Sequence, residues 1–157
     1  MVLVTHREWA NRFVELAHQI LGERLVSAVL FGSVAMGCER SDSDIDLLLV
    51  IKDLPQGRFV RRTILEPVLT LLDKDNSDKP FISTVLKTPR EAQVLSPLYF
   101  DMVDRGVVLY DTNSFFRDVL KDVEQRLIRL GSVRKQLGKI EYWDLKPDYV
   151  PGEIFEI

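Results

Sequence analysis

Cysteine is nearly absent from this 157-residue chain, with Cys38 standing alone. One thiol cannot close an internal disulfide, which excludes the disulfide-stapled secreted class and points to a reducing compartment. Histidine is almost as scarce. His6 and His18 are the two present, and neither has a local partner pattern that marks a catalytic centre, so both are expected on a solvated or semi-buried helix face. No apolar run approaches the roughly 18 residues of a membrane helix. The N-terminal residues lack the pattern of a signal peptide, so a cytoplasmic location without membrane contact is expected. Repeats and low-complexity segments are missing. Net charge is only −3, without the basic excess by which a protein grips nucleic acid through its phosphates. Nucleic acid is therefore not an expected partner, although a local basic patch is still allowed.

Hydrophobic residues make up 46% and charged ones 29%, an ordinary globular balance for one domain with a real core. Thr5 and Glu8 form a capping box ahead of Trp9, Phe13, Leu16 and Ile20, which predicts a helix at 6–22. Strands are expected at 26–31 and 44–52. After the break at Pro55-Gln56-Gly57, a helix is expected at 58–73, with Phe59, Ile64, Val68 and Leu71 buried and Pro67 kinking or splitting it. Arg58, Arg61 and Arg62 share one face of that helix, read chiefly as solvated, with an anionic partner as the alternative. A polar turn at 73–79 leads to a third strand at 81–86. Thr88, Pro89 and Glu91 start another helix, and Ser96-Pro97 restarts one that ends at Gly106. A short strand at 107–110 and an amphipathic helix at 114–130, stopped by Gly131, follow. The order predicts an α/β (α+β) domain over residues 1–131 with a small mixed sheet flanked by helices. Residues 132–157 read as an extended C-terminal tail, with a last strand at 153–157, that packs on the domain or on a partner chain.

The most informative stretch runs from Val29 to Ile51. An apolar strand ends in Gly32-Ser33, a polar loop follows, and Asp44-Ile45-Asp46 opens a run of leucines. Alternation along a strand puts Asp44 and Asp46 on one face, with Cα atoms roughly 6.6 Å apart. Two carboxylates that close repel each other unless a cation lies between them. Hard oxygen ligands suit Mg²⁺, which binds through one or two carboxylates plus substrate phosphates. Gly32 allows close backbone approach, and N–H groups at a helix start attract phosphate.

Gly32-Ser33, ten residues, then Asp44-Ile45-Asp46 resembles the signature of the nucleotidyltransferase superfamily with the DNA polymerase β-like catalytic core. Ser43 and the leucine run also look like its small stand-alone members, the minimal nucleotidyltransferases. The specific likeness covers residues 29–51. The resemblance implies transfer of a nucleoside monophosphate, AMP from ATP first among the NTPs, to a protein or small-molecule hydroxyl. Asp44 and Asp46 would be catalytic and hold Mg²⁺ in a two-metal site. Gly32, Ser33, Arg40 and Ser43 would bind the nucleotide, with Lys87 and Arg90 as further cations for its phosphates. It also implies a small helical HEPN protein as partner, with this chain as the antitoxin of a toxin–antitoxin pair, in a homo- or hetero-oligomer.

One departure stands out. The family draws a third carboxylate from the third strand, to activate the attacking hydroxyl and complete the second metal site. Here that strand carries no acid, and Ser83 or Thr84 stands in its place. A hydroxyl is a poor general base at neutral pH. Glu91 is the nearest acid downstream, and capping a helix accounts for it. A catalytically weak or inactive module that binds a nucleotide or a partner is therefore the alternative reading.

Overall fold

The computed structural model describes residues 3–74 and 78–157; the expected polar turn at 73–79 lies partly outside them. Helix α1 (His6–Leu21) starts as its capping box dictates. The Thr5 hydroxyl accepts the Glu8 N–H at 3.2 Å and the Glu8 carboxylate accepts the Thr5 N–H at 2.7 Å, so two otherwise orphaned donors are paired. Trp9, Phe13, Ala17 and Leu21 carry its buried face. Ile20, expected there, is exposed, and Leu21 takes the core position.

Strand β1 (Leu25–Phe31) leads through a one-turn helix α2 (Gly32–Met36) and a loop to β2 (Ile45–Ile51), which runs antiparallel to it. Helices α3 (Arg58–Thr63) and α4 (Glu66–Asp73) form the crossover to β3 (Ile82–Lys87), which pairs parallel to β2. Next come α5 (Pro89–Ala92), α6 (Leu98–Arg105), β4 (Val107–Asp111) and α7 (Phe115–Leu130). The sheet order is β3-β2-β1-β4, with β4 antiparallel to β1. The result is the expected mixed sheet flanked by helices.

Both faces of the two central strands are covered, which is why β2 reads as an unbroken apolar run. Ala28, Leu30, Leu47 and Leu49 pack against Trp9 and Phe13 of α1 and Val68 and Leu72 of α4. Val29, Leu48 and Val50 pack against Tyr99 and Met102 of α6 and Phe116, Val123 and Leu127 of α7. Each fully buried leucine or phenylalanine contributes about 1.5–3 kcal/mol, so this double layer holds the site's strands rigidly.

The expected helix at 58–73 is split, with Pro67 in the first turn of α4. The split resets the helical phase, so a core list that assumes one continuous helix fails. Phe59 is 82% exposed and Leu71 is also exposed, while Leu65, Val68 and Leu72 are buried. The last expected strand, at 153–157, does not form. Strands β5 (Val133–Leu137) and β6 (Ile140–Asp144) instead make a hairpin about Gly138-Lys139, with Gly138 at φ +61° as such tight turns require. The hairpin lies on α6. Arg134 donates to Asp104 at 2.8 Å and Asp101 at 3.0 Å, Arg105 pairs with Glu141 at 2.6 Å, and Trp143 donates its ring N–H to Asp101 at 3.0 Å.

The buried Asp111 carboxylate joins β4 to α7. It accepts the N–H groups of Phe116 and Arg117 at 2.9 and 3.0 Å and the hydroxyl of Ser27, capping α7 from five residues upstream. Among the described residues no helix is long and apolar enough to cross a membrane.

Candidate active site

The site forms where β1 gives out. Phe31, its last residue, is the register partner of Asp46 on β2. The next residue, Gly32, turns the chain at φ +73° into α2 and runs against the Asp46 carboxylate. A methyl group at position 32 would overlap Asp46 Oδ2 and sit 3.3 Å from its Cγ. The glycine is thus required twice, for its left-handed backbone and for its missing side chain. Gly32→Ala should lower stability by about 1–3 kcal/mol, from left-handed strand-end strain plus the displaced carboxylate. Thermal unfolding reads the first effect and nucleotide titration the second. An alanine variant equal to wild type in both would remove Gly32 from the site.

Asp44 lies exposed just ahead of β2, Ile45 is buried between the two acids, and Asp46 is half-buried. Burial pushes the Asp46 carboxyl above its ordinary range; a hydrogen bond from the Ser83 hydroxyl opposes this, and the negative charge of Asp44 adds to it. Among the described residues, no cation stands with the groups that act on Asp46. A divalent ion placed at the pair would offset the repulsion and replace the lost hydration. Two hard oxygen donors without a counter-charge fit Mg²⁺ completed by substrate phosphates. Among the described residues, no cluster of three acid, histidine or cysteine side chains forms a self-sufficient metal cage.

Ser33 lies in the first turn of α2, half-buried. Its carbonyl accepts the N–H of Cys38 at 3.0 Å, while its hydroxyl has no partner among the described residues and is available to a ligand. The exposed Cys38 thiol reaches the same carbonyl at 3.7 Å, so it braces the loop. Ser43 closes that loop, accepting the Arg40 N–H at 2.9 Å on its hydroxyl. Nε2 of His6 lies 3.1 Å from the Ser43 carbonyl, tying the loop to the start of α1. The Arg40 side chain is 83% exposed and pairs with Asp42 at 3.5 Å. Arg90 is exposed on α5, and the Lys87 ammonium lies 5.6 Å from the centre of the Tyr99 ring.

The third strand distinguishes its two hydroxyls. Ser83 is the register partner of Asp46, whereas Thr84 pairs with Leu47 on the opposite face. Of the two, Ser83 therefore shares the face of Asp46 and donates a hydrogen bond to it. Glu91 is engaged elsewhere. It receives both arms of the Arg61 guanidinium at 2.7 and 2.8 Å and the Thr88 N–H at 3.0 Å. Arg61 first, with help from Thr88 and Lys87, holds the Glu91 carboxyl down at about 2, far too low for a general base near neutrality. The folded-state value is depressed, so the pair's stabilisation is complete above pH 4.5 and fades as pH falls toward 2. Solvent reaches the pair, which discounts its worth to about 1 kcal/mol. Glu91→Gln should lower stability by that amount at pH 7 and by progressively less toward pH 2, as read by urea unfolding across pH.

Residues 17–115, which contain all of these groups except His6, match the family model described as "Polymerase beta, Nucleotidyltransferase". Over 126 residues, 78% of this chain and 84% of the relative, the sequence is 29% identical to a Methanocaldococcus jannaschii protein named as a candidate protein adenylyltransferase. A similar solved structure is spectinomycin adenyltransferase of Enterococcus faecialis with ATP and spectinomycin, at TM-score 0.51 and 15% identity over 78% of this chain and 67% of that one. Another is a Shewanella oneidensis complex of a tri-AMPylated HEPN toxin with its MNT antitoxin, at TM-score 0.46 and 17% identity over 81% and 93%.

Proposed function

Because the chain belongs to the polymerase beta-type nucleotidyltransferase family, we propose that it transfers AMP from ATP to a hydroxyl group on a protein. The observation that carries this reading is the uncompensated Asp44–Asp46 pair set against the Gly32-Ser33 turn. The Gly32 main chain and the Ser33 hydroxyl hold the terminal phosphates, with Arg40 reaching in from solvent. Ser43 fixes the loop that carries Arg40. Asp44 and Asp46 are the residues that would hold Mg²⁺, which when bound supplies neutralisation of phosphate charge. The acceptor oxygen forms a bond to the α-phosphorus, the bond to the bridging oxygen breaks, and pyrophosphate leaves. The acceptor's proton passes to water, since Glu91 is engaged by Arg61 and Ser83 is a poor base.

Transfer to a protein is supported by the name of the archaeal relative. In this reading, as the resemblance of residues 29–51 to the minimal nucleotidyltransferases implies, the acceptor is a small helical HEPN protein that forms a hetero-oligomer with this chain as its antitoxin. Residues 1–131 form the transferring unit and 132–157 an appendage on α6. Incubation with ATP, Mg²⁺ and a helical partner protein should leave adenylate on a tyrosine, serine or threonine, visible by mass spectrometry. The second reading, a binding module without turnover, is favoured by Ser83 in the acid's place. An unmodified partner together with intact nucleotide binding would select it.

A further inference from the structure

At the edge of the sheet, α3 and the outer side of β3 enclose a cleft of about 570 Å³. β3 ends the sheet. Phe81 accepts the Ile45 N–H at 2.9 Å, so by strand alternation the main chains of 81, 83 and 85 face β2. Those of Ile82, Thr84 and Leu86 face outward. Arg61 covers Leu86, donating to its carbonyl at 3.5 Å. Thr84 retains an N–H and a C=O without partners among the described residues.

The opposite wall is cationic. Arg58, Arg61 and Arg62 line it, and Lys87 and Glu91 close the end. Glu91 is neutralised by Arg61, while Arg58 and Arg62 are exposed and make no ion pair among the described residues. Exposed basic side chains are ordinary singly. Two unpaired arginines facing an open strand edge are a different arrangement, because both halves of the cleft then suit the same ligand. A free edge offers donors and acceptors alternately, which an extended peptide matches and a phosphate chain does not, since the Thr84 carbonyl repels phosphate oxygens. The arginines supply bidentate partners for carboxylates.

We propose that this cleft binds an extended, acidic peptide segment, which adds as a strand to the edge of β3 at Thr84 while its carboxylates pair with Arg58 and Arg62. That the segment belongs to the acceptor protein rests on the transferase reading above. Ser83, the register partner of Asp46, directly precedes Thr84, so a strand paired at Thr84 runs along β3 past the level of Asp46, with β3 between them, toward the end of the sheet where β3 starts at Ile82. A hydroxyl two to four residues from the acidic anchor would travel roughly 7–13 Å along the edge.

The test uses the full chain without nucleotide and a fluorescein-labelled peptide of alternating glutamate and valine carrying one serine near an end. Fluorescence anisotropy should show saturable binding that salt weakens. Arg58→Glu with Arg62→Glu should weaken it by about tenfold or more. Thr84→Pro, which removes the outward N–H at an edge position that tolerates proline, should do the same. A lysine-for-glutamate peptide should not bind, and Asp44→Asn with Asp46→Asn should bind the acidic peptide as wild type does. The assignment is overturned by no saturable binding, by equal binding of the lysine peptide, or by displacement with inorganic polyphosphate together with full affinity in Thr84→Pro. Peptide binding retained where ATP and Mg²⁺ give no heat would overturn the transferase reading and uphold the cleft. Binding without adenylate on the serine, in a preparation that adenylylates a partner protein, would overturn the assignment to the acceptor.

Discussion

Replacing Asp44 and Asp46 together by asparagine should abolish the magnesium-dependent part of ATP binding and reduce transfer by at least about 10³-fold. Asparagine keeps the size of each side chain and an oxygen that can accept the Ser83 hydrogen bond. It removes the negative charge that a hard cation needs. Asp46 is already penalised by burial and by the charge of Asp44, so in the absence of metal the double variant should unfold at the same temperature or slightly higher. That combination, lost ligand heat with preserved or raised stability, separates a binding role from a structural one. Calorimetric titration with ATP and Mg²⁺ beside a metal-free thermal melt checks it. Equal heat from the variant would sink the metal-site assignment.

Ser83→Asp should act in the opposite direction. The new carboxylate would stand beside Asp46 as its register partner and would replace a hydrogen-bond donor by a third negative charge. Without metal, the variant should be less stable than wild type, since a raised Asp46 carboxyl gains a second repulsive neighbour. With Mg²⁺ the order should reverse, because three carboxylates complete what two begin. If a missing base limits turnover, restoring it should raise the rate by on the order of 10²–10⁴-fold. Stability measured with and without Mg²⁺, and label transfer timed against wild type, read the two effects separately. An added acid that changes neither stability nor rate would show that position 83 does not face the reaction.

The parts of this molecule that are local in sequence were legible there. Both capping boxes, the Gly32-Ser33 turn, the acid pair and the order of the main strands each depend on residues a few positions apart. What escaped was set by partners far away in the chain. The burial pattern of α3 and α4 follows from where Pro67 restarts the helix, and Phe59 falls outside as a result. Arg61 looks like one of three solvated arginines until β3 and α5 bring Glu91 to it across 30 residues. Ser83 and Thr84 are adjacent in sequence, and only the register with β2 shows which one faces Asp46. The β5–β6 hairpin left one local signal, Gly138-Lys139 between Leu137 and Ile140, while the polar run Arg134-Lys135-Gln136 hid the strand before it. Asp111 gave no short-range cap signal because its acceptors serve N–H groups five and six residues on.

The pairing of β1 with β2 has a consequence for how the protein reaches its native state. Gly32, Asp44 and Asp46 all lie within or next to that antiparallel pair, whose partners are separated by a short loop. Ser83 arrives on a parallel strand at the sheet's edge, after a crossover of some thirty residues. Closing the longer loop is entropically slower, so the acid pair and its glycine can be assembled in a folding nucleus before position 83 joins them. Residues at 83 should then alter unfolding rates more than folding rates, the signature of a contact made late. A position that completes the site without belonging to the nucleus is one where an acid can be exchanged for a serine while the chain continues to fold at its usual speed.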